Sequence, residues 1–384
     1  MSGLDEATKA LYRYRRPEPW CWDAVVEAVC GDTYAGWDAD HAVSQAGGAV
    51  AAHADLIAES LGRGSAHTDG GLTLALAGMG DLRALPVLRR LAAANQLPYD
   101  RPHARILATL PAAELLPVVL PVLRQEPERY HSSTALLELL ALWGPAASPA
   151  AAEVIRHLGT AHTYDALRVL GRIGAPAVGA ADRLAAYATG RGRGAGGSYP
   201  RRAAWAHWKV TGDPALALDV CGAAVRSGTA SHGLPFLADL GPLAAVHTTP
   251  VRRLMESPGA WTRTYAAHAY WRITGDPEPA VPVLLAEVDP AWDGDPALPV
   301  REAVRILGEI GAPAVSAAPL LRRILAQEER LSRPWRGVRI LADQAYVRTL
   351  TEALERIAPG TGAAPAPALV PAVRQRGLLV RWSK

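Results

Sequence analysis

The chain has 384 residues, 49% of them hydrophobic, and a formal net charge of +3 from 40 Lys and Arg against 37 Asp and Glu. Charge this balanced predicts neither a nucleic-acid binder nor a membrane-surface protein, and three cysteines exclude a disulfide framework. Cys21, Cys30 and Cys221 read as free thiols. No apolar segment follows Met1–Arg16 and no run reaches the roughly 18 apolar residues of a spanning helix, so the expectation is a cytoplasmic protein without a leader or membrane contact.

Much of the apolar content is Ala, Leu and Val, with Phe236 the single phenylalanine; Ala and Leu favour helix. The basic residues are nearly all Arg, with lysine only at Lys9, Lys209 and Lys384, a bias that reads as base composition rather than function. In chain order, residues 1–66 read as a degenerate N-terminal capping unit. A poorly marked turn falls at Gly47-Gly48, and Trp20, Trp22 and Trp37 are placed to cover the open end of an array.

From residue 67 the pattern becomes regular. Helical apolar runs end in turn signals near 80, 110, 144, 174, 212, 241, 275, 311 and 358. That spacing clusters in the thirties, the length of a two-helix repeat, and the last interval carries an insertion. Two copies match closely: Leu167-Arg-Val-Leu-Gly-Arg-Ile-Gly-Ala-Pro-Ala-Val178 and Val304-Arg-Ile-Leu-Gly-Glu-Ile-Gly-Ala-Pro-Ala-Val315. A second pair is Trp208-Lys-Val-Thr-Gly-Asp-Pro214 and Trp271-Arg-Ile-Thr-Gly-Asp-Pro277. Glycine after each run closes a helix in the left-handed conformation. Asp213 and Asp276 are placed to cap the next helix, with Pro214 and Pro277 in its first turn. Two or three residues between helices force an antiparallel hairpin. Aligning the copies on the turn glycine puts Leu170, Trp208, Trp271 and Leu307 in one slot, read as core, and Trp205 is expected to follow them.

The Leu-Gly-x-Ile-Gly-x-Pro-Ala-Val pattern resembles HEAT repeats, in particular the short bacterial HEAT-like repeats of phycobilisome lyase subunits. The resemblance covers most of residues 70–380; tetratricopeptide repeats share the period but not the Gly-x-Pro turn. It implies an all-α fold, one α-solenoid over 1–384 of about nine or ten stacked antiparallel hairpins. Repeats fill 67–357, a capping segment 358–384, and the second helices line a concave face. Most proteins of this kind bind other macromolecules.

No catalytic signature is present: no His-Glu-x-x-His, no Gly-x-Ser-x-Gly, no Cys-x-x-Cys, and no His-Glu dipeptide of the kind that holds the di-iron site of HEAT-type deoxyhypusine hydroxylase. Asp40-His41, His53-Ala-Asp55 and His67-Thr-Asp69 are spaced too closely to stack across whole hairpins, so no metal site and no cofactor are expected. Three irregular stretches stand out. Gly190–Pro200 reads as a linker and Asp289–Pro296 as turn chemistry. Arg330, Arg333, Arg336 and Arg339 around Trp335 form a basic insertion fit to contact an acidic partner.

The candidate partner-binding residues are Arg333, Trp335 and Arg336 with a series on the second helices: Arg89, Arg90, Arg156, Arg183, Arg252, Arg253, Arg322 and Arg323. Arg124, Arg226 and Arg374 extend that series. Two readings stay open for it. A cation in the last turn of a helix complements the macrodipole by about 0.3–1 kcal/mol. The same residues could instead converge into a positive groove. The leading expectation is a non-enzymatic scaffold for a protein partner with an acidic surface. Nucleic-acid binding through an Arg-lined groove is the alternative, and the resemblance adds a lyase-like or chaperone-like enzyme subunit.

Overall fold

Closing two helices against each other over a few residues favours a backbone angle that side chains resist, and the sequence places glycine at most of the expected turns, though not at Leu110-Pro111 or Ala358-Pro359. In the computed structural model, Gly80, Gly144, Gly174, Gly212, Gly241, Gly275 and Gly311 all take positive φ, and Gly47 marks the degenerate turn in the same way. The structure describes residues 2–31, 35–63, 66–94, 96–97, 101–125, 130–192, 199–227 and 233–358. The expected C-terminal cap beyond residue 358, Arg374 and the middle of the Gly190–Pro200 loop lie outside them.

The described chain is all-α and contains no strand. It divides into two compact units. The first comprises residues 2–162 together with 327–345. Its helices are α1 (Ser2–Arg13), α2 (Pro19–Cys30), α3 (Trp37–Ala46), α4 (Ala54–Ser60), α5 (Ala66–Gly78), α6 (Ala84–Ala93), α7 (Arg101–Leu107), α8 (Ala112–Gln125), α9 (Tyr130–Trp143) and α10 (Ala151–Arg156). The second comprises 163–326 with 346–358. It holds α11 (Thr163–Ile173), α12 (Ala181–Ala188), α13 (Tyr199–Thr211), α14 (Ala215–Arg226), α15 (Leu234–Leu240), α16 (Thr248–Leu254), α17 (Ala260–Thr274), α18 (Ala280–Ala286), α19 (Val300–Ile310) and α20 (Ala318–Leu325). Helix α21 (Arg336–Ile357) contributes 336–345 to the first unit and 346–357 to the second.

Within each unit the first helix of a hairpin packs on the first helix of the next. The contacts run α3 to α5, α7 and α9 in the first unit, and α11 to α13, α15, α17 and α19 in the second. Leu170 and Leu307 are fully buried, as their shared slot requires, but Trp208 and Trp271 in that slot are only half-buried. Their larger rings reach the surface, where Lys209 and Arg272 lie over them. Trp205 is buried as expected.

Two details of the turns differ from expectation. Gly275, at φ 75° and ψ −3°, is left-handed in the ordinary sense, whereas Gly174 and Gly311 have φ 75° with ψ −144° and −137°. That region is open essentially to glycine alone. Asp213 and Asp276 do not take the expected cap position: Asp213 accepts from Ala215 N at 2.9 Å and Asp276 from Glu278 N at 3.0 Å, each closing a turn two residues on, while Pro214 and Pro279 are the N-cap residues of α14 and α18. The acidic loop at 289–296 is turn chemistry as read, with Asp289, Asp293 and Asp295 each accepting from a backbone N–H two residues on.

Residues 133–156 reach the length and apolarity of a membrane span, and 56% of that stretch is buried. It is not one rod, because Gly144 at φ 57° ends α9 and a 3-10 turn over Gly144–Ala150 leads into α10.

In the first unit, residues 327–345 fasten onto α1 and α3. Asp343 is fully buried and takes an ion pair at 3.1 Å from each of Arg15 and Arg330. Arg330 also donates to Leu11 O, and Gln45 accepts from Ile340 N while donating to Arg336 O. Asp343→Ala strands two buried guanidinium groups and should destabilise the protein by about 3–5 kcal/mol, read from the shift in denaturant midpoint. The first glycine of the repeat motif gives a second test. A Cβ on Gly171 would lie 2.1 Å from the Trp205 ring. Gly171→Ala should therefore cost at least about 1–3 kcal/mol through overpacking, and Gly174→Ala about 1–3 kcal/mol through backbone strain, each measured by chemical denaturation.

Candidate functional site

Residues four apart on a helix share a face. On three first helices of the second unit, positions two or six before the turn glycine carry charge: Arg172 and Arg168 on α11, Asp239 on α15, and Glu309 and Arg305 on α19; α13 has Val210 and Ala206 there, and α17 has Ile273 and Ala269. Arg168 lies 3.4 Å from Asp165, and Arg305 lies 2.5 Å from Glu302 and pairs with Glu309 as well. Glu309 is also 3.2 Å from His268 of α17. Asp239 accepts from Trp205 Nε1 at 2.7 Å and sits 3.4 Å from Lys209. Arg202 lies over the Tyr164 ring at 3.9 Å and donates to its hydroxyl.

The electrostatics show how these groups are gathered. Burial pushes the Arg172 guanidinium down to about 10; Asp239 opposes this, while Arg168, Arg202 and Arg305 push the same way. Arg172 therefore stays a cation at neutral pH. Arg305 and His268 are strongly desolvated yet keep 24% and 14% side-chain exposure. Burial opposes the charge on Arg305, but Glu302 and Glu309 outweigh it and hold the guanidinium firmly protonated. Burial likewise opposes ionisation of Glu309, but the hydrogen bond from His268 and the charge of Arg305 hold its carboxyl down to about 2. Clustered, perturbed ionisable groups that keep partial exposure mark a candidate binding site.

The residues singled out in the sequence lie elsewhere. Arg89, Arg90, Arg156, Arg183, Arg252, Arg253, Arg322 and Arg323 are all exposed on second helices. Arg90 pairs with Asp69 at 2.5 Å and Arg156 with Glu153 at 3.0 Å. Most stand in the last turn of their helix, but Arg183 is near the start of α12. In the basic insertion, Arg330 is buried against Asp343, Arg336 pairs with Asp38, and Arg339 donates to Pro334 O and Ser332 O. Arg333 and Trp335 are exposed, and Trp335 lies 5.8 Å from Trp37, on which His41 stacks. Among the described residues, no three or more His, Cys, Asp and Glu side chains gather as metal ligands. This cluster was missed because its charges sit on different first helices and meet only through tertiary packing.

No protein-family model matches the chain, and no curated protein matches it. Among solved structures it is similar to an engineered protein at 15% identity, with a TM-score of 0.37, covering 93% of this chain and 99% of that one.

The ionisations give a pH test. Burial holds His157 down to about 4, with the nearby charges of His162 and Arg156 adding to it, and burial also lowers His268. Both are more basic in the unfolded chain, so their stabilisation is full above about pH 6.5 and is lost as pH falls, for His157 toward about 4. Glu309 extends the loss from about pH 4.5 down to 2. His157→Asn should remove a large part of the pH 6.5–4 slope, and Glu309→Gln the slope below it. The His157 share is about 3 kcal/mol, read from denaturant midpoints across pH.

Proposed function

We propose that the chain is a HEAT-like α-solenoid that works as a non-enzymatic scaffold, binding a protein partner with an acidic surface along the charged first-helix face of its second unit. The recurring Gly turns, the short hairpins and the first-helix-to-first-helix packing support the solenoid reading. One observation carries the binding reading: charged side chains of neighbouring first helices meet across the row, Lys209 with Asp239 and His268 with Glu309, at groups that keep partial exposure.

Charge favours an acidic partner there. Arg168, Arg172, Arg202, Lys209, Arg272 and Arg305 outnumber Asp165, Asp239, Glu302 and Glu309 on this face. Complementary charge of this kind steers association and fixes register more than it adds affinity. The second-helix arginines are solvated and individually dispensable in this reading, because an exposed ion pair contributes little.

Two sets of variants separate the faces. Neutralising Arg172 and Lys209 together (Arg172→Gln, Lys209→Gln) should weaken capture of the partner by about tenfold, equivalent to roughly 1.4 kcal/mol. Reversing Arg252, Arg253, Arg322 and Arg323 to Glu should leave capture close to that of the parent. The readout is quantitative pull-down against a titration of salt; dependence on the second-helix set alone would move the binding face to the other side of the hairpins.

A further inference from the structure

Arg202 differs from Arg168 and Arg305 on this face. Arg168 is answered by Asp165, and Arg305 by Glu302 and Glu309, whereas Arg202 forms no ion pair among the described residues. The Tyr164 ring lies under its guanidinium, the Tyr164 hydroxyl takes one Nη, and its Nε is buried with no hydrogen-bond partner. An aromatic face fixes the plane of a guanidinium while leaving its in-plane donors for a ligand. Arg168 and Arg172 add their charge alongside, and Asp165 acts from beyond ion-pair distance. A cation fixed in place, flanked by cations and lacking its own carboxylate is an arrangement that an oxyanion completes.

We propose that Arg202, with Arg168 and Arg172 beside it, receives a side-chain carboxylate from an acidic segment of the partner, an inference that rests on the scaffold reading above. A carboxylate accepts parallel N–H bonds from one guanidinium fork, which matches the donors that Tyr164 leaves open. The same face argues against a nucleic-acid backbone. Asp239, Glu302 and Glu309 interrupt it, repelling a continuous row of phosphates but tolerating isolated carboxylates on a peptide.

The test is fluorescence anisotropy of a labelled octaglutamate peptide with the full chain at low salt. An octaserine peptide and an oligo-dT of equal charge run in parallel, and inorganic phosphate serves as competitor. The expected result is salt-sensitive binding of octaglutamate alone, weakened about tenfold by Arg202→Gln. Arg202→Lys should fall between, because it keeps the charge and loses the fork. Removing the Tyr164 contact also loosens packing, so thermal melts accompany each variant, and Arg172→Gln, which leaves that contact in place, should weaken binding too. Unchanged binding in both Gln variants overturns the assignment. So does tighter binding of oligo-dT, or displacement of the peptide by phosphate at equal concentration. Absence of peptide binding while partner capture persists overturns the carboxylate site and leaves the scaffold; loss of partner capture with peptide binding intact does the reverse.

Discussion

The turn glycine is the constraint on which the rest of the structure depends. It ends a helix, and it also seats that turn against the following hairpin. A Cβ at Gly47 would face Gly78 O at 3.6 Å, at Gly174 Lys209 O at 3.5 Å, at Gly241 Arg272 O at 3.4 Å, and at Gly311 Arg356 O at 3.5 Å. In each case the facing carbonyl belongs to the last turn of the next first helix. At these four positions one residue type sets the angle within a hairpin and lies close to the next hairpin, whereas Gly80, Gly212 and Gly275 face open space and act on their own turn alone.

Close approach is helped by a second glycine in the same motif. Gly171 lies against the Trp205 ring, and Gly308 lies against Ala353, where an added Cβ would come within 2.7 Å of its Cα. The Gly-Asp-Pro hairpins lack this glycine and carry Lys209 and Arg272 in its place. Their Trp208 and Trp271 turn partly outward beneath those cations instead of entering the core as Leu170 and Leu307 do. Two versions of the repeat therefore solve the same packing problem with different side chains.

What the sequence disclosed was local. Helices, hairpins and turn positions follow from Gly, Pro and Asp acting within a few residues of themselves, and Leu170, Leu307 and Trp205 were readable as core by spacing. The tryptophans at 208 and 271 misled because a slot alignment registers position and ignores ring size. The charged cluster was hidden for a different reason. Its pairs, Lys209 with Asp239 and His268 with Glu309, join different first helices, and only tertiary packing brings them together. The basic insertion shows the same limit, since Arg330 and Arg336 find Asp343 and Asp38 through tertiary contacts that no spacing rule encodes.

The Arg15–Asp343 pair spans 328 positions of the chain. Polypeptides emerge from the ribosome at about 5–20 residues per second, so α1 and α3 wait roughly a quarter of a minute to a minute before the segment that covers them exists. Over that interval Arg15 and Gln45 lack the groups that answer them, while every residue from 163 to 326 has already been made. The unit that begins first is thus the one completed later than the main body of the other. Its unfinished surface is where a nascent chain of this kind needs protection during synthesis.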